Sequence, residues 1–161
     1  MRSVDVCLTH QDFDNYDHKG KIVVVIDVLR ATSTINTLLF LGADHVRPIG
    51  SLEECKSLKD HDYIIMAERL GKKVEGFDYG NSPTKLTEKD IKGKKVAIAT
   101  SNGSKAIIKS EGSEMTILCS FLNIESVINR IKKSESDVIL LCSGWLGKTL
   151  SLIHISEPTR L

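Results

Sequence analysis

Asp27, Arg30, Thr32 and Ser33 stand within seven residues of chain, directly after an unbroken run of branched apolar residues from Ile22 to Ile26. Such a run is what a strand buried on both faces of a parallel sheet requires. In open α/β sheets ligands bind beyond the carboxyl ends of strands, and helix N-termini favour anions. A carboxylate, a guanidinium and the hydroxyls of Thr32, Ser33 and Thr34 in that position suit a metal-assisted phosphate site. The same residues also admit a plainer arrangement, in which Asp27 pairs with Arg30 and Thr32 caps the helix that follows.

Similar groups recur where other strands are expected to end. Glu68 and Arg69 follow one strand, Thr100 to Ser104 another, Ser120 with Asn123 a third, and Ser143 with Gly144 a fourth. If the strands are parallel, all of these groups converge on one edge. Glu68 and Arg69 read either as an internal ion pair or as a metal- or substrate-facing carboxylate beside a phosphate-binding fork. Ser101, Asn102 and Gly103 read either as a cap and turn or as an oxyanion cradle in which Gly103 permits close approach. Asp78, Asn81 and Ser82 lie in a long irregular stretch, Glu68 to Thr87, and structureless segments of that length tend to be functional.

The elements that must position these groups follow from periodicity. Strands are expected over Val4 to Leu8, Ile22 to Ile26, His45 to Ile49, Tyr63 to Ala67, Lys94 to Ala99, Met115 to Cys119 and Val138 to Cys142. Helices are expected over Ile35 to Leu41, Leu52 to Leu58, Lys105 to Lys109 and Ile124 to Ile131, with Ser51 and Glu54 forming a capping box and Gly42 a C-cap. Apolar runs alternating with amphipathic segments mark βαβ units. The expected fold class is α/β, three-layered, a mostly parallel sheet with helices on both faces, in one domain over residues 1–149.

Composition excludes several classes. The chain has 161 residues and a net charge of +1, so no global field draws it to nucleic acid or to a membrane surface. No apolar run approaches the roughly 20 residues of a bilayer span, and aromatic residues make up only 5%, too few for a base-stacking platform. The widely spaced Cys7, Cys55, Cys119 and Cys142 form no CxxC pair, which fits buried thiols in a reducing cytoplasm. His10, His18, His45 and His61 fall in no metal-ligand spacing and read as surface or structural. There is no GxxxxGK[ST], no GxGxxG after a strand and no GxSxG. The D-V-L-R turn also lacks the second aspartate of haloacid-dehalogenase-type phosphatases. The last segment, 150–161, resembles the translation of a sequencing adapter over Leu150 to Arg160 and is set aside from fold reasoning, His154 included. The authentic chain is accordingly expected to stop near Thr149, as a fragment truncated at its C-terminus.

The ordered blocks VVVIDVLRATSTI, AER, GFDYGNSP, TSNGS, SFLN and CSG, over about residues 4–147, resemble the 2-phosphosulfolactate phosphatases. The resemblance implies an α/β, Mg²⁺-dependent acid phosphatase. It would hydrolyse 2-phospho-3-sulfolactate, or a related small phosphorylated hydroxy acid, on the route to coenzyme M. Block by block, it puts Asp27, Arg30, Glu68 and Arg69 in the catalytic group. Thr32, Ser33, Asn81, Ser82, Ser101, Asn102 and Gly103 would bind the substrate, and Asp27 with Glu68 or Asp78 would hold Mg²⁺. Leu70 replaces a glycine common in the family, and Ser101 and Ser104 replace threonines while keeping the hydroxyls. The implied partner is a small anionic phosphoester, with homo-oligomerisation left open. The competing readings are a non-catalytic anion-binding α/β module and an inactive fragment of the phosphatase.

Overall fold

The computed structural model describes residues 2–69, 71–145 and 148–149. The tail at 150–161 with its His154, and the substituted position 70, lie outside the described residues. Among the described residues there are eight strands: β1 (Val4–Cys7), β2 (Ile22–Ile26), β3 (His45–Ile49), β4 (Tyr63–Arg69), β5 (Lys72–Lys73), β6 (Lys95–Ala99), β7 (Met115–Cys119) and β8 (Val138–Cys142). The helices are α1 (Ala31–Phe40), α2 (Leu52–Ser57), α3 (Glu88–Ile91), α4 (Gly103–Lys109) and α5 (Ile124–Lys132). The α/β class with mostly parallel strands holds. The strands nevertheless divide into two sheets, ordered β1-β8-β2-β7 and β3-β6-β4-β5. Every pairing is parallel except the β4–β5 hairpin.

The division explains where the helices lie. Among the described residues the chain passes between sheets twice, from β2 to β3 through α1 and from β6 to β7 through α4. Both helices occupy the layer between the sheets. Ile35 and Leu38 of α1 pack on Met66, Val96 and Ile98, while Ala106 of α4 packs on Val23, Val25, Ile139 and Leu141. The opposite face of the second sheet, Ile65, Ala67, Ala97 and Ala99, meets Cys55 and Leu52 of α2. Ile22, Val24 and Val138 on the outer face of the first sheet meet Val127 of α5. Each sheet thus has helices on both faces, with the middle layer shared.

Local chemistry sets the element boundaries. Pro48 lies in β3, an edge strand, where a missing N–H costs no central ladder bond. The Ser51 hydroxyl accepts from the Glu54 N–H at 3.1 Å and starts α2. Gly42, at φ +85°, ends α1 in the left-handed conformation that glycine adopts without a Cβ penalty. α1 begins at Ala31 rather than at Ile35, so its first turn takes in the three hydroxyl residues. Removing the α2 cap with Ser51→Ala is expected to lower stability by about 1 kcal/mol, read as a shifted urea midpoint.

The four cysteines are free; Cys7, Cys55 and Cys119 are buried and Cys142 partly so. Burial pushes all four thiols up, Cys55 to about 11, so none is a ready thiolate nucleophile at neutral pH. No helix among the described residues is long and apolar enough to cross a membrane.

Candidate active site

Asp27 leaves the carboxyl end of β2 where the corresponding ends of both sheets meet. Its backbone is held by Thr32, which donates its N–H to the Asp27 carbonyl at 3.1 Å, while the Asp27 N–H donates to the Thr32 hydroxyl at 3.1 Å. The Ser143 hydroxyl and the Ala31 N–H are the donors beside the Asp27 carboxylate that favour its anion. Burial nonetheless pushes its pKa above the ordinary carboxylate value, with those two donors and the Arg30 charge pulling the other way. Gly103 presses its bare Cα side onto the same carboxylate: a Cβ there would stand 2.5 Å from Asp27 Oδ2. Glycine is what lets α4 approach.

Two clefts flank this carboxylate and share Asp27, Leu29, Asn102 and Trp145. The larger, about 480 Å³, is also lined by Arg30, Glu68, Arg69, Asn81 and Ser101. Seven residues expected at the site are therefore brought to one cleft: Asp27, Arg30, Glu68, Arg69, Asn81, Ser101 and Asn102. Arg30 pairs with Glu68 rather than with Asp27, through Nη2 and Oε1. Glu68 Oε2 accepts the Asn81 N–H at 3.2 Å, so both oxygens of Glu68 are engaged. Arg69 extends across the cleft, its Nη1 donating to the Ser101 hydroxyl at 3.1 Å and to the Glu68 carbonyl at 3.2 Å. Asn81 is buried, donates Nδ2 to the Ala99 carbonyl at 3.3 Å and leaves Oδ1 without a partner.

Other expected residues are placed differently. Thr32 is wholly buried, and its hydroxyl lies 2.7 Å from the Cys119 carbonyl, to which it donates, and 2.8 Å from the Asp27 carbonyl, which already accepts the Thr32 N–H. Ser33 donates to the Val28 carbonyl at 2.7 Å. These hydroxyls hold the β2–α1 turn. Ser82 and Asp78 line an adjoining cleft rather than the Asp27 cleft. Of the two carboxylates expected to join Asp27 around Mg²⁺, Glu68 shares its cleft, paired with Arg30, whereas Asp78 lies in the adjoining one, accepting from Lys59 at 2.9 Å and from the Ile65 N–H at 3.0 Å. Among the described residues, no three His, Cys, Asp or Glu side chains converge as a metal-binding group. Ser120 and Asn123 point elsewhere, bonded to Asn36 and to the β7 backbone.

Two residues at the site were not expected there. Trp145, half exposed, lines both clefts just past β8, and the apolar-strand-then-glycine pattern that precedes it is the only sequence signal for it. His10 is buried, its Nδ1 within 2.7 Å of the Ser143 carbonyl, which steadies the segment that carries the Ser143 hydroxyl to Asp27.

Thr32→Val separates the two roles of the turn. It leaves the Cys119 carbonyl and the Asp27 N–H short of a partner, so it is expected to destabilise by about 1–3 kcal/mol. Chemical denaturation measures that loss. Phosphate affinity, measured on the fraction still folded, is expected to change little.

A half-buried carboxylate at the strand ends of an α/β fold thus shares one cleft with two guanidinium groups and a set of side-chain amides and hydroxyls, a lining whose chemistry suits a small anion. The model of the 2-phosphosulpholactate phosphatase family matches residues 7–151, and the chain belongs to that family. It is 42% identical over 144 residues to a probable 2-phosphosulfolactate phosphatase of Caldanaerobacter subterraneus subsp. tengcongensis, covering 87% of this chain and 60% of the relative. A similarly described protein of Clostridium acetobutylicum is 39% identical over 148 residues, covering 90% and 63%. One from Thermotoga maritima is 41% identical over 128 residues, covering 80% and 56%. The chain thus spans about 60% of the length of these curated relatives.

Proposed function

We propose that this chain carries the active site of a phosphatase that hydrolyses 2-phospho-3-sulfolactate to 3-sulfolactate and inorganic phosphate in the cytoplasm. The single observation that carries the reading is the half-buried Asp27 carboxylate lining one cleft with Arg30 and Arg69 at the strand ends of a family member. The reaction adds water across the P–O bond: the alkoxide oxygen leaves with a proton and the phosphoryl group leaves as phosphate. Arg69 spans the cleft as a fork for anionic oxygens, and Asn102 and Ser101 supply further donors at its rim. The Arg30–Glu68 pair fixes one wall, so Arg30 presents its remaining N–H groups at a set angle. A site of preset charges and donors of this kind stabilises the spread negative charge of phosphoryl transfer.

The donor set fits Mg²⁺ in a particular way. Mg²⁺ takes one or two carboxylates and completes its shell with waters and substrate phosphate oxygens. Asp27 supplies that carboxylate without a protein triad. Bound there, Mg²⁺ would polarise a phosphoryl oxygen. Burial raises the cost of the unpaired Asp27 anion, so a cation beside it has a direct electrostatic benefit.

The test is phosphate release from 2-phospho-3-sulfolactate in Mg²⁺ and in chelator, on this chain and on the chain extended to the length of its relatives. Mg²⁺-dependent release supports the reading. Tight phosphate binding without release, in folded protein of both lengths, assigns the cleft to a non-catalytic anion-binding module instead.

A further inference from the structure

The cleft adjoining the Asp27 cleft is about 440 Å³ and is lined by Arg30, Glu68, Lys73, Tyr79, Ser82 and Lys85, among others. It shares Arg30 and Glu68 with the Asp27 cleft, so one small molecule can reach both. Its charge is unbalanced. Both oxygens of Glu68 are engaged, by Arg30 and by the Asn81 N–H. Asp78, the other carboxylate of this cleft, is neutralised by Lys59 at 2.9 Å.

Lys73 sits directly opposite Glu68 in the β4–β5 ladder, so the two side chains leave on the same face. It nevertheless makes no ion pair among the described residues, and neither does Lys85, which comes from the short turn Pro83–Lys85. Gly80, also in the lining, leaves room beside Glu68 and Lys73: a Cβ there would meet Glu68 Oε2 at 3.3 Å and Lys73 Cβ at 3.6 Å. The result is a concavity with two uncompensated ammonium groups and two hydroxyls, next to the site for the phosphoryl group.

We propose that this cleft binds a sulfonate carried by the substrate, with Lys73 and Lys85 as the residues that select for it. The inference rests on the phosphatase reading above and assigns the second anionic group of its substrate. The type of cation favours sulfonate over carboxylate. Compact ammonium groups on flexible stems act as point charges that can follow the three equivalent oxygens of a tetrahedral sulfonate, whereas an arginine fork engages two oxygens in a fixed plane, as a carboxylate presents them.

The experiment compares kcat/KM for 2-phospho-3-sulfolactate with that for 2-phospholactate, which lacks the sulfonate, in the parent chain and in a Lys73→Gln/Lys85→Gln variant. Both lysines are exposed, so the variant is expected to fold. The preference for the sulfonated ester is expected to fall about tenfold or more. Titration of the product, 3-sulfolactate, by calorimetry should show a matching loss of affinity relative to lactate. An unchanged preference and unchanged 3-sulfolactate affinity would overturn the subsite, as would an equal loss for both esters. A parent chain that hydrolyses neither ester, yet loses 3-sulfolactate affinity selectively in the variant, would retain the subsite and reject the phosphatase reading.

Discussion

Replacing Asp27 by asparagine is expected to lower phosphate release about 100-fold or more and, in chelator, to raise the melting temperature at neutral pH. The two effects have one cause. Burial pushes the Asp27 carboxyl up, and the nearby donors Ser143 and Ala31 with the Arg30 charge only partly offset that. An acid whose folded pKa lies above its unfolded value binds its proton more tightly when folded. Its contribution to stability is full below the ordinary carboxylate pKa of about 4 and is lost as pH rises through the raised folded value. Above that value the cost is constant. Asparagine keeps the shape and carries no charge, so the melting temperatures of parent and variant should diverge as pH rises from 3 to 8. Thermal melts across that range measure it. A variant that melts lower than the parent at pH 8 would show that the anion is held favourably, against the present reading of the site.

The second large effect belongs to Gly103→Ala. The added methyl would stand 2.5 Å from Asp27 Oδ2, 3.3 Å from Thr100 Oγ1, and closer still to Ala31 Cβ. Ala31 is buried in the first turn of α1 and cannot swing away. Alanine gains at most about 1 kcal/mol of helix propensity over glycine, and less than that at a first helical position. Overpacking a filled site costs about 1–3 kcal/mol, so the collision wins and the variant is destabilised. The catalytic loss should be larger than the stability loss suggests, because relief requires α1 and α4 to separate at Asp27. A displacement of about 1 Å in such a site can cost 100-fold. Gly50→Ala is the control: its Cβ would meet only Ile108 Cδ1, at 3.6 Å, and it is expected to be near neutral. Equal activity in Gly103→Ala and parent would remove Gly103 from the site.

Much of this organisation is legible in the sequence, and the parts that are not share a reason. The β2 run from Ile22 to Ile26 is apolar at every position because both faces are covered, one by α4 and the other by α5. α5 faces a single sheet and shows it, with Val127 buried while Glu125, Arg130 and Lys132 mark the wet side. α1 is different. It lies between two sheets and buries Ala31, Thr32, Thr34, Ile35 and Leu38 around much of its circumference. That is why Thr32, polar and next to Asp27, reads as a ligand group in sequence and proves to be an internal tie in the structure. The division into two sheets is invisible locally, since a βαβ unit reads the same whether its second strand joins the first sheet or another. Partner choice is equally non-local. Arg30 and Glu68, 38 residues apart, are both legible as site residues, but only the fold pairs them with each other.

The most direct test follows 2-phospho-3-sulfolactate by phosphorus NMR, with the chain and Mg²⁺, beside a matched sample of Asp27→Asn. The expected result is conversion of the ester signal to inorganic phosphate in the first tube and an essentially unchanged ester in the second. An intact ester beside folded parent protein, or equal conversion in both tubes, would contradict a phosphatase site centred on Asp27.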